Sequence, residues 1–109
     1  MKKYKVLILT EAEKDLVGIG SYVSRNDSPL RARQIVDELE EACKRLASFP
    51  HRGRIVPELR RVNITTFSEL IHKPYRIIYQ VANNLVFIHA VLDSRRDLDE
   101  LLYKRLVQN

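Results

Sequence analysis

Two stretches decide the fold: Tyr75-Arg76-Ile77-Ile78-Tyr79-Gln80-Val81 and Leu85-Val86-Phe87-Ile88-His89-Ala90-Val91-Leu92, joined through Asn83-Asn84. Both are rich in β-branched and aromatic residues, the composition of strands. Asparagine tolerates left-handed backbone, so the Asn-Asn pair between them predicts a tight hairpin turn. Strand alternation puts Ile77, Tyr79 and Val81 on one face of the first stretch and Arg76, Ile78 and Gln80 on the other. The second stretch is apolar on both faces, which predicts an interior strand, with His89 beside Leu85, Phe87 and Val91. Lys73-Pro74 reads as a turn, and residues 64–72 as a strand entering it.

Before residue 50 the period is helical. Residues 4–9 form a short apolar strand, and Thr10-x-x-Glu13 reads as a capping box. The helix that follows carries Ala12, Leu16, Ile19 and Val23 on one stripe, opposite Glu11, Lys14 and Asp15. Gly18 and Gly20 weaken it. Val17, Ile19 and Tyr22 exceed what one buried stripe needs, which fits either a groove for a partner or simply more core. Ser28 and Pro29 are an N-cap and a first helical residue. A second helix repeats Ala32, Ile35/Val36, Leu39, Ala42/Cys43 and Leu46 up to Phe49-Pro50, completing an αα-hairpin. Residues 50–61 are expected to be a loop. Beyond the last strand, Asp97-x-x-Glu100 predicts the cap of a short helix with Leu98, Leu101, Leu102 and Leu106 on its apolar side. The order is β-α-α-β-β-β plus a helix: an α+β fold, a mainly antiparallel twisted sheet under an αα-hairpin in two layers, and one domain over residues 1–109.

The chain of 109 residues is 45% hydrophobic, enough for a core. Nineteen Lys and Arg against 14 Asp and Glu give a net charge of +5, which favours anionic partners, nucleic acid or an acidic protein alike. Cys43 is the single cysteine, so neither an intrachain disulfide nor a cysteine metal cluster can form. His51, His72 and His89 lack metal-ligand spacing, and no metal or cofactor is expected. The apolar run of residues 6–9 is too short for a signal peptide, and no stretch approaches the ~18 residues of a membrane span. A cytoplasmic protein without membrane contact is expected.

The segment Phe49-Pro50-x-x-Gly53-Arg54-x-Val56-Pro57-Glu58-Leu59, the strand Tyr75-Arg76-Ile77-Ile78-Tyr79 and the closing Arg95-Arg96-Asp97-Leu98, in this order, resemble the ParE/RelE toxin superfamily of plasmid stabilisation and type II toxin–antitoxin systems. The likeness runs over essentially the full length and is closer to the ParE branch. It implies a growth-inhibiting toxin held by a cognate antitoxin in a hetero-oligomer or, alternatively, a non-toxic relative that only binds the antitoxin. The antitoxin's tail would add a helix to the hairpin groove and a strand to the sheet edge. The ParE branch targets DNA gyrase by binding. The RelE branch cleaves mRNA on the ribosome without a metal.

For that cleavage the resemblance implies Arg76 and Arg96 as phosphate-gripping cations, with Glu58 (or Glu69) as a base and Tyr103 as an acid. Lysines expected on the preceding strand are replaced by Phe67, Ser68 and Glu69. Arg76 has an equal structural reading, pairing with Glu69 on the adjacent strand. Arg52, Arg54, Arg60 and Arg61 form the most basic patch, fit for phosphates or, somewhat better, for an acidic antitoxin or target segment. Arg95 and Arg96 follow a rigid strand and are further candidates for target contact, or else a solvated corner capping Asp93 and Asp97.

Overall fold

The computed structural model describes residues 3–108; Met1, Lys2 and Asn109, including the start of the basic N-terminus, lie outside it. Five strands, β1 (Lys5–Ile8), β2 (Arg54–Ile55), β3 (Ser68–His72), β4 (Tyr75–Ala82) and β5 (Leu85–Asp93), form one sheet in the order β1-β5-β4-β3-β2. β4 and β5 are the expected hairpin, with Asn83 at φ 57° in its turn. All neighbours are antiparallel except β1, which runs parallel to β5 from Lys5↔Leu85 to Ile8↔Ile88.

Helices α1 (Thr10–Asn26) and α2 (Pro29–Arg45) are the αα-hairpin. Their apolar stripes (Ala12, Leu16, Leu39, Ala42, Cys43, Leu46) bury against Tyr75, Ile77, Tyr79, Val86, Ile88 and Val91. Ser28 caps α2 as expected, its Oγ accepting the Arg31 N–H at 3.0 Å. Neither of the two expected capping boxes forms. Thr10 already lies inside α1, and extended Leu9 stands at the N-cap with no side-chain bond. The terminal helix, α4 (Asp99–Leu106), starts after Leu98 rather than Asp97, because the Leu98 side chain is drawn into a core.

That core is a second one. The 50–61 loop contains β2 and the one-turn helix α3 (Pro57–Arg60). Val56 and Leu59 from this segment join Leu98 and Leu102 of the C-terminal segment over Phe67, Ile78, Ala90 and Leu92. The sheet is therefore covered on both faces, adding a partial third layer to the two expected. Residues 64–67 do not extend β3; Asn63 at φ 64° turns the chain, and Phe67 is spent on this core.

The face assignment in β5 also changes. Ile78 pairs with Ala90 but Tyr79 with Ile88, so His89 is the extra residue of a bulge. A bulge reverses the alternation beyond it. Val91 thus shares the αα-hairpin face with Val86 and Ile88, whereas His89 turns to Phe67, in an edge-on ring contact at 5.1 Å, and to Gln80 at 3.1 Å.

Candidate functional site

Arg76 sits on the face covered by α3 and α4, where two glutamates consume its guanidinium. Nη1 and Nη2 each donate to Glu58, the first residue after Pro57 in α3, at 2.7 Å. Nε donates to Glu69 of β3 at 2.7 Å, and Nη2 pairs with the same carboxylate. Arg76 is 8% exposed and Glu69 1%. The second oxygen of Glu69 accepts from Arg54 Nε at 2.7 Å. The result is a chain, Arg54–Glu69–Arg76–Glu58, of two cations and two anions with no formal charge left over. The hydrogen bonds from Arg76 hold the Glu58 carboxyl below its usual range; the Glu58 carboxylate in turn raises Arg76. Such an arrangement fixes α3 and β2 to the sheet. It neutralises Arg76 and engages four of its five guanidinium N–H groups, leaving a phosphate at most one donor on Nη1.

Gly53 belongs to this region. Its N–H donates to the Tyr79 hydroxyl at 3.0 Å, and a Cβ there would collide with the Glu69 carbonyl and the Tyr79 hydroxyl. Glycine is required for the chain to pass so close to β3 and β4.

A second constellation lies where β1 ends. Leu9 N–H still bonds the Ile88 carbonyl, but among the described residues no strand accompanies that edge of β5 any further, β4 lying on the other side. Two side chains close the gap. Asp15 of α1 accepts the Val91 N–H at 2.9 Å, and Arg105 of α4 donates to the His89 carbonyl at 3.0 Å while forking onto Asp15 at 3.1 and 3.2 Å. This pairing escaped sequence reading because its members are 90 residues apart. Burial, then the positive charge of Arg105, keeps the His89 imidazole below its ordinary pKa.

Just beyond, α1 and the end of β5 flank a cleft of about 470 Å³ lined by Ile19, Tyr22, Tyr75, Val91, Asp93 and Arg96, among others. Arg95 is tied to Asp93 by three hydrogen bonds of 2.5–2.9 Å, which lower the Asp93 carboxyl. Arg96 lines this cleft, on the αα-hairpin side, whereas the Arg76 guanidinium meets Glu58 of α3. The two arginines that a phosphate site would combine are therefore on opposite faces.

The remaining candidates are dispersed. Tyr103 is an exposed residue of α4. In the basic patch, Arg54 is committed to Glu69, Arg61 lies 3.8 Å from Asp99, and Arg52 and Arg60 are exposed without an ion pair among the described residues. His51 meets Tyr4 edge-on, and His72 pairs with Glu38 at 3.3 Å. Cys43 is buried, its thiol pushed up to about 12, and so inert. Among the described residues no group of His, Cys, Asp and Glu is arranged to hold a metal, and no helix is long and apolar enough to cross a membrane.

An α+β sheet of this order, with an αα-hairpin on one face, recurs in solved toxin–antitoxin structures. The fold is similar to that of the chromosomal ParDE toxin–antitoxin system from P. aeruginosa (TM-score 0.71, 17% identity, 85% of this chain and 98% of that one). It is also similar to the toxin–antitoxin complex RelBE2 from Mycobacterium tuberculosis (TM-score 0.63, 23% identity, 85% and 93%). In sequence, 83 residues are 35% identical to Toxin RelE2 of Caulobacter vibrioides, covering 75% of this chain and 85% of that relative. The family described as the ParE toxin of the type II toxin-antitoxin system, parDE, matches residues 6–98. The chain belongs to this ParE toxin family.

Proposed function

We propose that this toxin arrests growth by binding rather than by chemistry, as a ParE-like inhibitor of DNA gyrase acting in the cytoplasm as a single domain. The observation that carries the reading is the state of Arg76. Metal-free RNA cleavage needs cations free to stabilise a charged phosphorane-like transition state. Here the strand arginine is neutralised by Glu58 and Glu69, and Arg96 lies across the sheet from it. Contact with the target falls to α4 and to the turn bearing Arg95 and Arg96, on the rigid end of β5. A cognate antitoxin is the second partner, since toxin–antitoxin assemblies share the fold. The exposed Val17 of α1 and the groove it lines with Gly20, Ser21 and Val36 suit an apolar helix, and the exposed Arg52 and Arg60 suit an acidic segment.

One observation favours a second reading: the relative at 35% identity carries the name RelE2. On that reading Arg76, Arg96, Glu58 and Tyr103 would serve a ribosome-dependent mRNA endoribonuclease. A supercoiling assay with antitoxin-free protein decides between them. Gyrase inhibition with trapped double-strand breaks at near-stoichiometric toxin is expected. Undisturbed supercoiling by a protein that still arrests cells, together with cleaved mRNA, would replace the first reading by the second.

A further inference from the structure

α1 is flanked by two grooves, and the one facing β5 has features that the packing of this chain does not account for. The first is Gly18. It stands mid-helix with nothing within 4 Å of where a Cβ would be, and it lines the cleft. A mid-helix glycine is less stable than alanine there, and no neighbour demands it. Gly20 contrasts with it, because the Val36 Cγ2 would lie 3.3 Å from an added Cβ. What an empty Cβ position provides is close approach by another chain.

The second feature is charge. Among the ionic residues lining the cleft, Lys14 is held by Glu11 at 3.2 Å, Asp15 by Arg105 and the Val91 N–H, and Asp93 by Arg95. Arg96 alone has no ion pair among the described residues. The cleft therefore presents one uncommitted cation above an apolar floor of Ile19, Tyr75 and Val91. At about 470 Å³ it has the size of a pocket that takes a bulky side chain with room to spare. Its outer lip, Tyr22, is 57% exposed and leads round α1 to Val17 at 69%. An apolar floor that continues onto open helix surface fits an extended segment better than an enclosed small molecule.

We propose that this α1–β5 cleft docks a peptide segment of a partner protein that presents a bulky apolar side chain beside a carboxylate. The side chain fills the space over Gly18 between Tyr22 and Tyr75, and the carboxylate pairs with Arg96. The proposal rests on the protein-binding reading above for the nature of the partner, but its test does not involve gyrase.

The full chain is titrated by methyl and amide NMR with N-acetyl-phenylalanine and with its neutral amide. The acid is expected to shift Ile19 and Val91 and to bind about 5-fold more tightly than the amide, a preference lost in Arg96→Gln. Lengthening the probe to acetyl-Ala-Ala-Phe should tighten binding further. Gly18→Ala should raise Tm by about 2–4 °C and yet weaken binding; Gly18→Leu should abolish it with the fold intact. Equal binding of acid and amide, shifts confined to the α1–α2 groove, no gain from the longer peptide, or undiminished binding by Gly18→Leu would each overturn the proposal. Fragment binding as expected in a protein that leaves supercoiling untouched would uphold the cleft and count against the gyrase reading alone.

Discussion

Replacing Arg76 by alanine separates a structural arginine from a catalytic one. The substitution leaves Glu69, which is 1% exposed, beside Glu58 with their shared cation gone. Removing one member of a buried ion pair costs about 3–5 kcal/mol, since the remaining charge stays desolvated. Arg54 still holds one oxygen of Glu69, and Glu58 can reach water, so the low end, about 3 kcal/mol, applies. With an unfolding entropy of roughly 2.1 cal/mol/K per residue, the chain should lose about 13 °C in Tm. Urea unfolding followed by circular dichroism measures the loss directly, and the m-value should not change. Replacing all three groups by apolar ones (Arg76→Met, Glu58→Leu and Glu69→Leu together) should recover most of it, because no unpaired charge is then buried. An Arg76→Ala protein within about 1 kcal/mol of the parent, but no longer able to arrest growth, would refute this reasoning and make Arg76 a functional residue.

Gly53→Ala should destabilise by about 2–3 kcal/mol, since its Cβ meets the Glu69 carbonyl and the Tyr79 hydroxyl; thermal melts of the pair check it. Arg105→Ala should leave α1, α2 and the sheet protected while amide exchange quickens across Asp99–Leu106, because the fork onto Asp15 and the His89 carbonyl is what ties the end of α4 to β5. Uniform exchange changes would contradict that. For pH, Glu58 is ionised more readily in the fold than its ordinary value of 4.5. Its contribution is therefore complete above about 4.5 and is lost as pH falls through the lowered value. Urea midpoints of the parent should drop faster than those of Glu58→Gln below that pH, and parallel curves would argue against the assignment.

Much of the fold was legible because its strongest elements are locally encoded. The heptad-like spacing from Ala32 to Leu46 gave α2, Ser28 with Pro29 gave its start, and the β-branched runs around Asn83-Asn84 gave the β4–β5 hairpin. The Arg76–Glu69 pairing was among the readings open from strand adjacency, and it is what the fold uses. What stayed hidden depends on distance or on a single residue. Glu58 looked like part of a loop because prolines and arginines mask the one turn of α3, which forms by burying Leu59. The bulge at His89 has no local signature, yet it moves Val91 to the opposite face. Asp15 and Arg105 meet only when the two ends of the chain do. The caps failed at Thr10 and Asp97 for a shared reason: each helix takes its start from a strand or core contact of the preceding leucine, so neither polar residue stands at the N-cap, and Asp97 only accepts the Asp99 N–H at 3.3 Å.

The parallel pairing of β1 with β5 also sets a schedule for folding. β1 finds its partner β5 some eighty residues later, whereas the two helices and the β4–β5 hairpin need only near neighbours. Loop closure on that scale is slow compared with helix or hairpin formation. As the polypeptide emerges, the αα-hairpin can assemble early, but its apolar stripe has no sheet to cover until residues 75–93 have followed. Nascent and prematurely terminated chains therefore lack the rigid end of β5 on which Arg96 and α4 are mounted. The order of synthesis itself delays the surface carrying Arg96 and α4 until the residues after β5 have followed.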